Sequence, residues 1–245
     1  MQSAFQVNAT LSCSTLLLAG TLALAAGPQA TGVQQENHFE VQSPVAANIG
    51  YLLFLPQGYE KSNQRWPLML FLHGAQESGT NLASLKRNGP PKFVESHPGF
   101  PFILVSPQYH SGNDWDKNVL MALLDDVIGR YRVDTRRIYL TGLSMGGSAT
   151  WSLAAAHPER FAAIVPVSGV GDPADARKLA ALPIWVFHGA KDTIISVEWS
   201  RKMVAAIRAE GGNVQYTEFP DARHNIWSKT YNNSKLYKWL LAQKR

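Results

Sequence analysis

The chain has 245 residues, 45% of them hydrophobic and 17% charged, with a net charge of +5. This composition excludes a disordered polypeptide and leaves room for one α/β domain or two small ones. The cations are scattered (Lys86-Arg87, Arg136-Arg137, Arg201-Lys202), a pattern of solvated surface that argues against nucleic-acid binding.

Residues 1–35 carry no Lys, Arg, Asp or Glu, and residues 16–26 form an apolar block. The block suits the hydrophobic region of a secretory signal and falls short of a membrane span, although a basic segment before it is missing. Ala23-Leu24-Ala25 offers a cleavage site. The expectation is a signal peptide over residues 1–26, a secreted or periplasmic protein, and no stable membrane insertion after cleavage. The single cysteine, Cys13, lies inside this leader. A mature chain then has no disulfide, thiolate nucleophile or thiolate metal site.

Residues 27–47 are polar and contain Pro, Gly and Gln, which predicts an irregular lead-in to a catalytic domain over 48–245. Strands are predicted at Ile49–Leu55, Leu68–Leu72, Phe102–Ser106, Ile138–Thr141, Ala163–Val167, Ile184–Phe187 and Val214–Phe219. Several are unbroken apolar runs, as in strands covered on both faces. Helices are predicted at Lys117–Tyr131, Met145–Ala156, Val197–Glu210 and Ser234–Gln243. Strand and helix alternate, so the expected fold is α/β, a doubly wound, mostly parallel sheet with helices on both faces. The long connection from His73 to Pro101 is rich in Gly, Pro, Asn and Ser, and such loops at strand ends build binding sites.

Gly142-Leu143-Ser144-Met145-Gly146 fits G-x-S-x-G, with a β-branched and aromatic strand before it and a good helix former after it. In that context the serine stands exposed on a sharp strand-to-helix turn near helix N–H groups. A serine hydroxyl needs a base beside it. Of seven histidines, His224 is the candidate, because it follows the last predicted strand and so reaches the carboxyl edge of the sheet that carries Ser144. The acid that orients it is expected on a loop between serine and histidine. Asp192 fits, after an apolar strand and a glycine turn; Asp172 is the rival, and Asp221 belongs to a turn. The order Ser144, Asp192, His224 is that of α/β-hydrolases. For the oxyanion, Met145 N–H is one expected donor and Ala75 N–H the other, with Gln76 as the alternative. His73 is expected to hold that loop, and Glu77 either to support it or to touch substrate. Trp115 and Trp227 are the tryptophans expected to line a pocket, with Gln76 and Glu77. Asp114 and Asp116 read as solvated loop residues, so no metal and no cofactor is expected.

The segments 55–59, 66–74, 86–92, 133–147, 161–169, 183–192 and 224–227 together resemble α/β-hydrolases of the phospholipase/carboxylesterase and predicted-peptidase group. That group is related to prolyl-oligopeptidase-type and feruloyl-esterase-like catalytic domains. The resemblance implies an α/β-hydrolase fold over residues 49–243, a triad of Ser144, Asp192 and His224, and oxyanion donors at Ala75 and Met145. Two departures bear on substrate choice. Gln76-Glu77-Ser78 stands where the group often has Gly followed by Glu-Arg, and Ala222-Arg223 precedes His224 where small or apolar residues are usual. The expected function is a secreted serine esterase acting on small or aryl carboxylic esters. A serine peptidase of prolyl-oligopeptidase type is the alternative, and a non-catalytic binding protein on the same fold comes third.

Overall fold

A computed structural model describes residues 30–41, 47–97, 99–110 and 115–245. The predicted signal peptide, Cys13 and Asp114 lie outside the described residues. In chain order the strands and helices are β1 (Gln34–Val41), β2 (Ala47–Phe54), β3 (Trp66–Leu72), β4 (Ile103–Pro107), α1 (Lys117–Arg130), β5 (Val133–Leu143), α2 (Met145–Ala156), β6 (Ala163–Val167), α3 (Ala176–Leu179), β7 (Ile184–Gly189), α4 (Glu198–Ala209), β8 (Val214–Phe219), α5 (Trp227–Tyr231) and α6 (Ser234–Ala242).

The strands form one sheet in the order β1-β2-β4-β3-β5-β6-β7-β8. β1 and β2 pair antiparallel, β2 pairs antiparallel with β4, and every pairing from β4 through β8 is parallel. The central strands are apolar at consecutive positions because the two faces of the sheet feed two cores. From β3, Leu68, Leu70 and Leu72 join one cluster with Leu120, Leu124, Trp151 and Met203 of α1, α2 and α4. Met69 and Phe71 join the other, with Trp227, Tyr231, Leu236 and Leu240 of α5 and α6. This double coverage fixes the register, since a one-residue slip would exchange the two sets. α1 begins at Asp116, whose Oδ1 accepts hydrogen bonds from the N–H groups of Asn118 (2.8 Å) and Val119 (3.2 Å).

One segment departs from expectation. Residues 27–47, read as an irregular lead-in, contain β1, which pairs with β2 over its whole length from Gln34↔Phe54 to Val41↔Ala47. As an edge strand, β1 has one ladder partner, and its polar side chains alternate toward solvent. Its anchors are Phe39 and Val41, which pack on the first core. The His73–Pro101 connection is also less irregular than its composition suggests: it contains short 3-10 turns at Ala75–Glu77, Leu82–Arg87, Pro90–Lys92 and Val94–Ser96. Among the described residues no helix is long and apolar enough to cross a membrane.

Candidate active site

Ser144 sits between the end of β5 and the start of α2 with φ 55° and ψ −117°, a backbone conformation that L-residues rarely adopt. Steric room makes that turn possible. A Cβ on Gly146 would lie 2.0 Å from the Leu72 carbonyl oxygen, and one on Gly142 would lie 2.3 Å from the Gly146 oxygen. Only glycine lets α2 approach β3 and β5 so closely. The Ser144 N–H donates to the Val167 carbonyl at 2.9 Å, pinning the turn to β6.

β7 leads into Asp192, and the turn after β8 carries His224. The loop carrying His224 reaches the β7 end because Gly189 has no side chain: a Cβ there would lie 2.2 Å from the Arg223 carbonyl oxygen. His224 Nε2 lies 2.9 Å from Ser144 Oγ, and His224 Nδ1 lies 2.7 Å from Asp192 Oδ2. The consistent tautomer has Nδ1–H donating to Asp192 and Nε2 accepting the serine proton. Asp192 is buried at 8% exposure. Its Oδ1 accepts from the N–H groups of Ile194 and Ile195, both at 2.9 Å. Burial alone would push this carboxyl up, but the hydrogen bonds from His224 and the two backbone amides overcome it and hold the group below its ordinary range. Asp192 is therefore ionised at neutral pH.

The rival acids point elsewhere. Asp172 is exposed and accepts from the Ala174 N–H at 2.9 Å, capping a short turn. Asp221 is an exposed partner of Lys191 at 2.8 Å.

One buried group escaped the sequence reading. His188, the penultimate residue of β7, has no exposed surface. Its Nε2 lies 3.1 Å from Asp192 Oδ2 and 3.0 Å from the Ile195 carbonyl, and its Nδ1 lies 2.7 Å from Ser200 Oγ. The available signal was the pattern His188-Gly189-Ala190-Lys191-Asp192, which matches His73-Gly74-Ala75-Gln76-Glu77 at the first three positions and, like it, ends on an acid.

The two expected oxyanion donors share one geometric property. Met145 is the first residue of α2 and Ala75 the first of a 3-10 turn, so both N–H groups belong to the first-turn donors that a helical segment leaves without an internal acceptor. The Ala75 turn is brought to the elbow by Gly74, where a Cβ would lie 2.7 Å from Leu143 Cδ1. His73, buried at 1% exposure, braces the turn: Nδ1–H donates to the Gly74 carbonyl at 2.5 Å and Nε2 accepts from the Tyr109 N–H at 2.9 Å. Burial lowers its pKa to about 4, so it is neutral at pH 7.

Two of the expected substrate contacts, Glu77 and Trp227, turn inward. Glu77 is 2% exposed, with Oε1 accepting from Asn88 Nδ2 at 2.6 Å; burial raises its pKa against that bond. Trp115 is largely buried with its ring 4.8 Å from that of His73, and its remaining surface lines a small pocket with Tyr109, His110 and Val119, as expected. Trp227 is buried and meets the His224 ring edge-on at 5.2 Å. Position near the site was legible; direction was set by the apolar area available for burial. Gln76 alone of the four is exposed. Beside the elbow, a groove of about 630 Å³ runs along α2, lined by Ser148, Trp151, Val170, Asp172, Trp199 and Met203. Ser148 stands one helical turn after Ser144, and its Oγ accepts from the Val170 N–H at 2.9 Å. Trp199 is 40% exposed at the rim. Among the described residues no group of three His, Cys, Asp or Glu side chains is placed to hold a metal ion.

A profile of the dienelactone hydrolase family matches residues 26–236. The bifunctional acetylxylan esterase/xylanase XynS20E of Neocallimastix patriciarum is 25% identical over 186 residues, which cover 71% of this chain and 26% of that protein. The putative esterase NocK of Nocardia uniformis subsp. tsuyamanensis is 30% identical over 139 residues, covering 52% of this chain and 40% of its own. The chain thus spans less than half the length of these relatives. Among solved structures, a thermostable esterase superposes with a TM-score of 0.75 at 30% identity, over 86% of this chain and 63% of that one. An acylaminoacyl peptidase from Pyrococcus horikoshii superposes with a TM-score of 0.61 at 13% identity, over 85% and 40% of the two chains, a likeness of fold alone. The fold is that of the α/β-hydrolases, and the chain belongs to the dienelactone hydrolase family.

Proposed function

We propose that this protein is a serine esterase that cleaves small or aryl carboxylic esters through an acyl-enzyme. Ser144 Oγ attacks the ester carbonyl carbon while His224 Nε2 takes its proton. Asp192 holds the imidazole in the required tautomer and stabilises its charged form. The N–H groups of Ala75 and Met145 receive the developing oxyanion, a contribution of about 3 kcal/mol per donor in comparable sites. Collapse expels the alcohol, protonated by His224. Water then repeats the sequence on the acyl-enzyme, and the acid leaves with Ser144 restored.

The observation that carries this reading is the unbroken chain Ser144 Oγ–His224 Nε2, His224 Nδ1–Asp192 Oδ2, at 2.9 and 2.7 Å. Esterase names among its relatives support an ester substrate. The groove beside Ser148 is the proposed seat of the larger ester substituent, with Trp199 as an exposed aromatic wall. The test is hydrolysis of p-nitrophenyl acetate and butyrate. Ser144→Ala is expected to lose roughly 10⁶-fold in kcat, as removal of a triad serine does elsewhere; equal rates would overturn the proposal. Faster hydrolysis of aminoacyl anilides than of esters would reassign the protein as a peptidase.

Export belongs to the same reading, on the strength of the apolar block and Ala23-Leu24-Ala25. The measurement is N-terminal sequencing of the exported protein, expected to begin at Ala26 or Gly27.

A further inference from the structure

The reaction above uses Ser144, His224 and Asp192 and leaves unemployed a fully buried imidazole that touches the same carboxylate oxygen as His224. Both partners of His188 Nε2, Asp192 Oδ2 at 3.1 Å and the Ile195 carbonyl at 3.0 Å, are acceptors. Nε2 therefore carries the hydrogen and shares it between them. Nδ1 is then the acceptor, and Ser200 Oγ donates to it at 2.7 Å. Ser200 is itself without exposed surface. Every polar atom of His188 is used, with the ring neutral, and one tautomer alone satisfies all three contacts.

We propose that His188 is a positioning residue for the esterase reaction, fixing the Asp192 carboxylate so that one lone pair of Oδ2 remains for His224. The carboxylate is clamped from both ends. Oδ1 takes the N–H groups of Ile194 and Ile195, and Oδ2 takes His188 and His224. The bifurcated bond to the Ile195 carbonyl ties His188 to the same turn whose amides hold Oδ1, so the ring and the turn cannot shift independently. Ser200, on α4, locks the tautomer from outside. Without it, Nδ1 is free to take the hydrogen and Nε2 presents a lone pair to a carboxylate. Burial disfavours the charged ring and keeps His188 a neutral donor beside ionised Asp192. The charged and titratable groups around this cluster are Asp192 and His224, with Glu218 on β8 held by Arg201 of α4 and by Tyr216.

The inference rests on the triad reading, and its experiment separates the two. His188→Leu removes the donor, His188→Gln keeps an N–H at the reach of Nε2, and His188→Asn keeps one only at the reach of Nδ1. For His188→Leu, kcat on p-nitrophenyl butyrate is expected to fall roughly 10- to 100-fold, the worth of one hydrogen bond to a charged group, with KM unchanged. The freed carboxylate holds the His224 imidazolium more tightly, so the acid limb of kcat/KM moves to higher pH. His188→Gln restores most of both and His188→Asn does not. The downfield Nδ1–H resonance of His224 shifts in His188→Leu and returns in His188→Gln, a readout that needs no substrate and survives failure of the esterase reading. A folded His188→Leu protein with kcat within twofold, an unmoved acid limb and an unmoved resonance overturns the proposal. Should His188→Leu fail to fold, identical profiles for His188→Gln and His188→Asn overturn it.

Discussion

Two strand ends in this molecule carry nearly the same five residues and use them in opposite ways. β3 runs into His73-Gly74-Ala75-Gln76-Glu77 and β7 into His188-Gly189-Ala190-Lys191-Asp192. In both, the histidine is buried and neutral, and the acid four residues on is buried as well. At β3 the imidazole bonds backbone among the described residues, the Gly74 carbonyl and the Tyr109 amide, and so shapes a turn. At β7 it reaches the acid itself. The carboxyls diverge accordingly. At Glu77 burial outweighs the Asn88 amide and the nearby backbone N–H groups and raises the carboxyl, whereas at Asp192 the bonds from His224 and two backbone amides outweigh burial and lower it. The motif supplies a buried polar turn, and the partners decide whether its acid braces a loop or carries a charge.

The sharpest separation of the two turns comes from replacing each carboxyl by its amide, which keeps the shape. Asp192→Asn is expected to lower kcat roughly 10⁴-fold, because the amide favours the wrong imidazole tautomer on His224. Glu77→Gln keeps an oxygen acceptor for Asn88 and is expected to leave kcat within about threefold. Steady-state hydrolysis of p-nitrophenyl butyrate by both variants decides it; a collapse in Glu77→Gln would mean that the two acids share a catalytic role.

The glycines separate next. A Cβ on Gly189 would meet the backbone oxygens of Arg223 and Ala222 at 2.2 and 2.6 Å, whereas one on Gly74 would meet first the tip of the Leu143 side chain at 2.7 Å. Backbone must move in the first case and a flexible methyl in the second. A shift of about 1 Å in the His224 loop is enough for a roughly 100-fold loss, so Gly189→Ala should lose that much in kcat/KM while Gly74→Ala loses only a few-fold. Comparable losses in the two would show that the Ala75 turn is as intolerant as the histidine loop.

How far the chain could be read in advance follows the same division between local and distant causes. The elbow was legible because its glycines, strand and helix are adjacent in sequence, and the observed α2 begins and ends at the predicted residues. The order Ser144, Asp192, His224 was legible because a parallel sheet puts successive loops on one edge. The role of His188 was not, since its tautomer is set by Ser200, twelve residues on, and by the carbonyl of Ile195. Nor was β1, whose polar sequence is a strand only because β2 offers it a ladder. Trp115 lines a small pocket while Trp227 packs on the His224 imidazole, and which of the two an indole does depends on neighbours that no spacing reveals.

Stability against pH probes the two turns together. His73 titrates at about 4 in the folded protein against an ordinary 6.5, so the unfolded chain binds more protons between those values. Its contribution is fully present above pH 6.5 and is lost as pH falls toward 4, a loss of about 2 kcal/mol between pH 7 and pH 5. His188 acts in the same direction. Glu77 opposes them: raised in the folded state, it favours folding at low pH and loses that contribution as pH rises through its folded value. Urea unfolding at pH 7 and pH 5 should therefore show lower stability at pH 5, and a steeper fall in Glu77→Gln. A flat profile would mean that His73 is protonated inside the fold.

The smallest effects belong to the fourth position of each turn, where Gln76 and Lys191 are both exposed. Lys191 bridges its turn to the loop before His224 twice, through its N–H to the Ala222 carbonyl at 2.9 Å and through its ammonium to Asp221 at 2.8 Å. Only the first should matter. The ion pair joins side chains 61% and 84% exposed, where water and salt screen the attraction and ordering two long side chains offsets it. Lys191→Ala keeps the amide and is expected to change stability by less than about 0.5 kcal/mol, with kcat and KM unaltered. Gln76→Ala also keeps its amide, but its side chain stands beside the proposed oxyanion donor, so any effect should fall on KM for bulky esters and spare kcat. A drop in kcat on Lys191→Ala would show that the surface bridge, and not the Gly189 contact, holds the histidine loop in place.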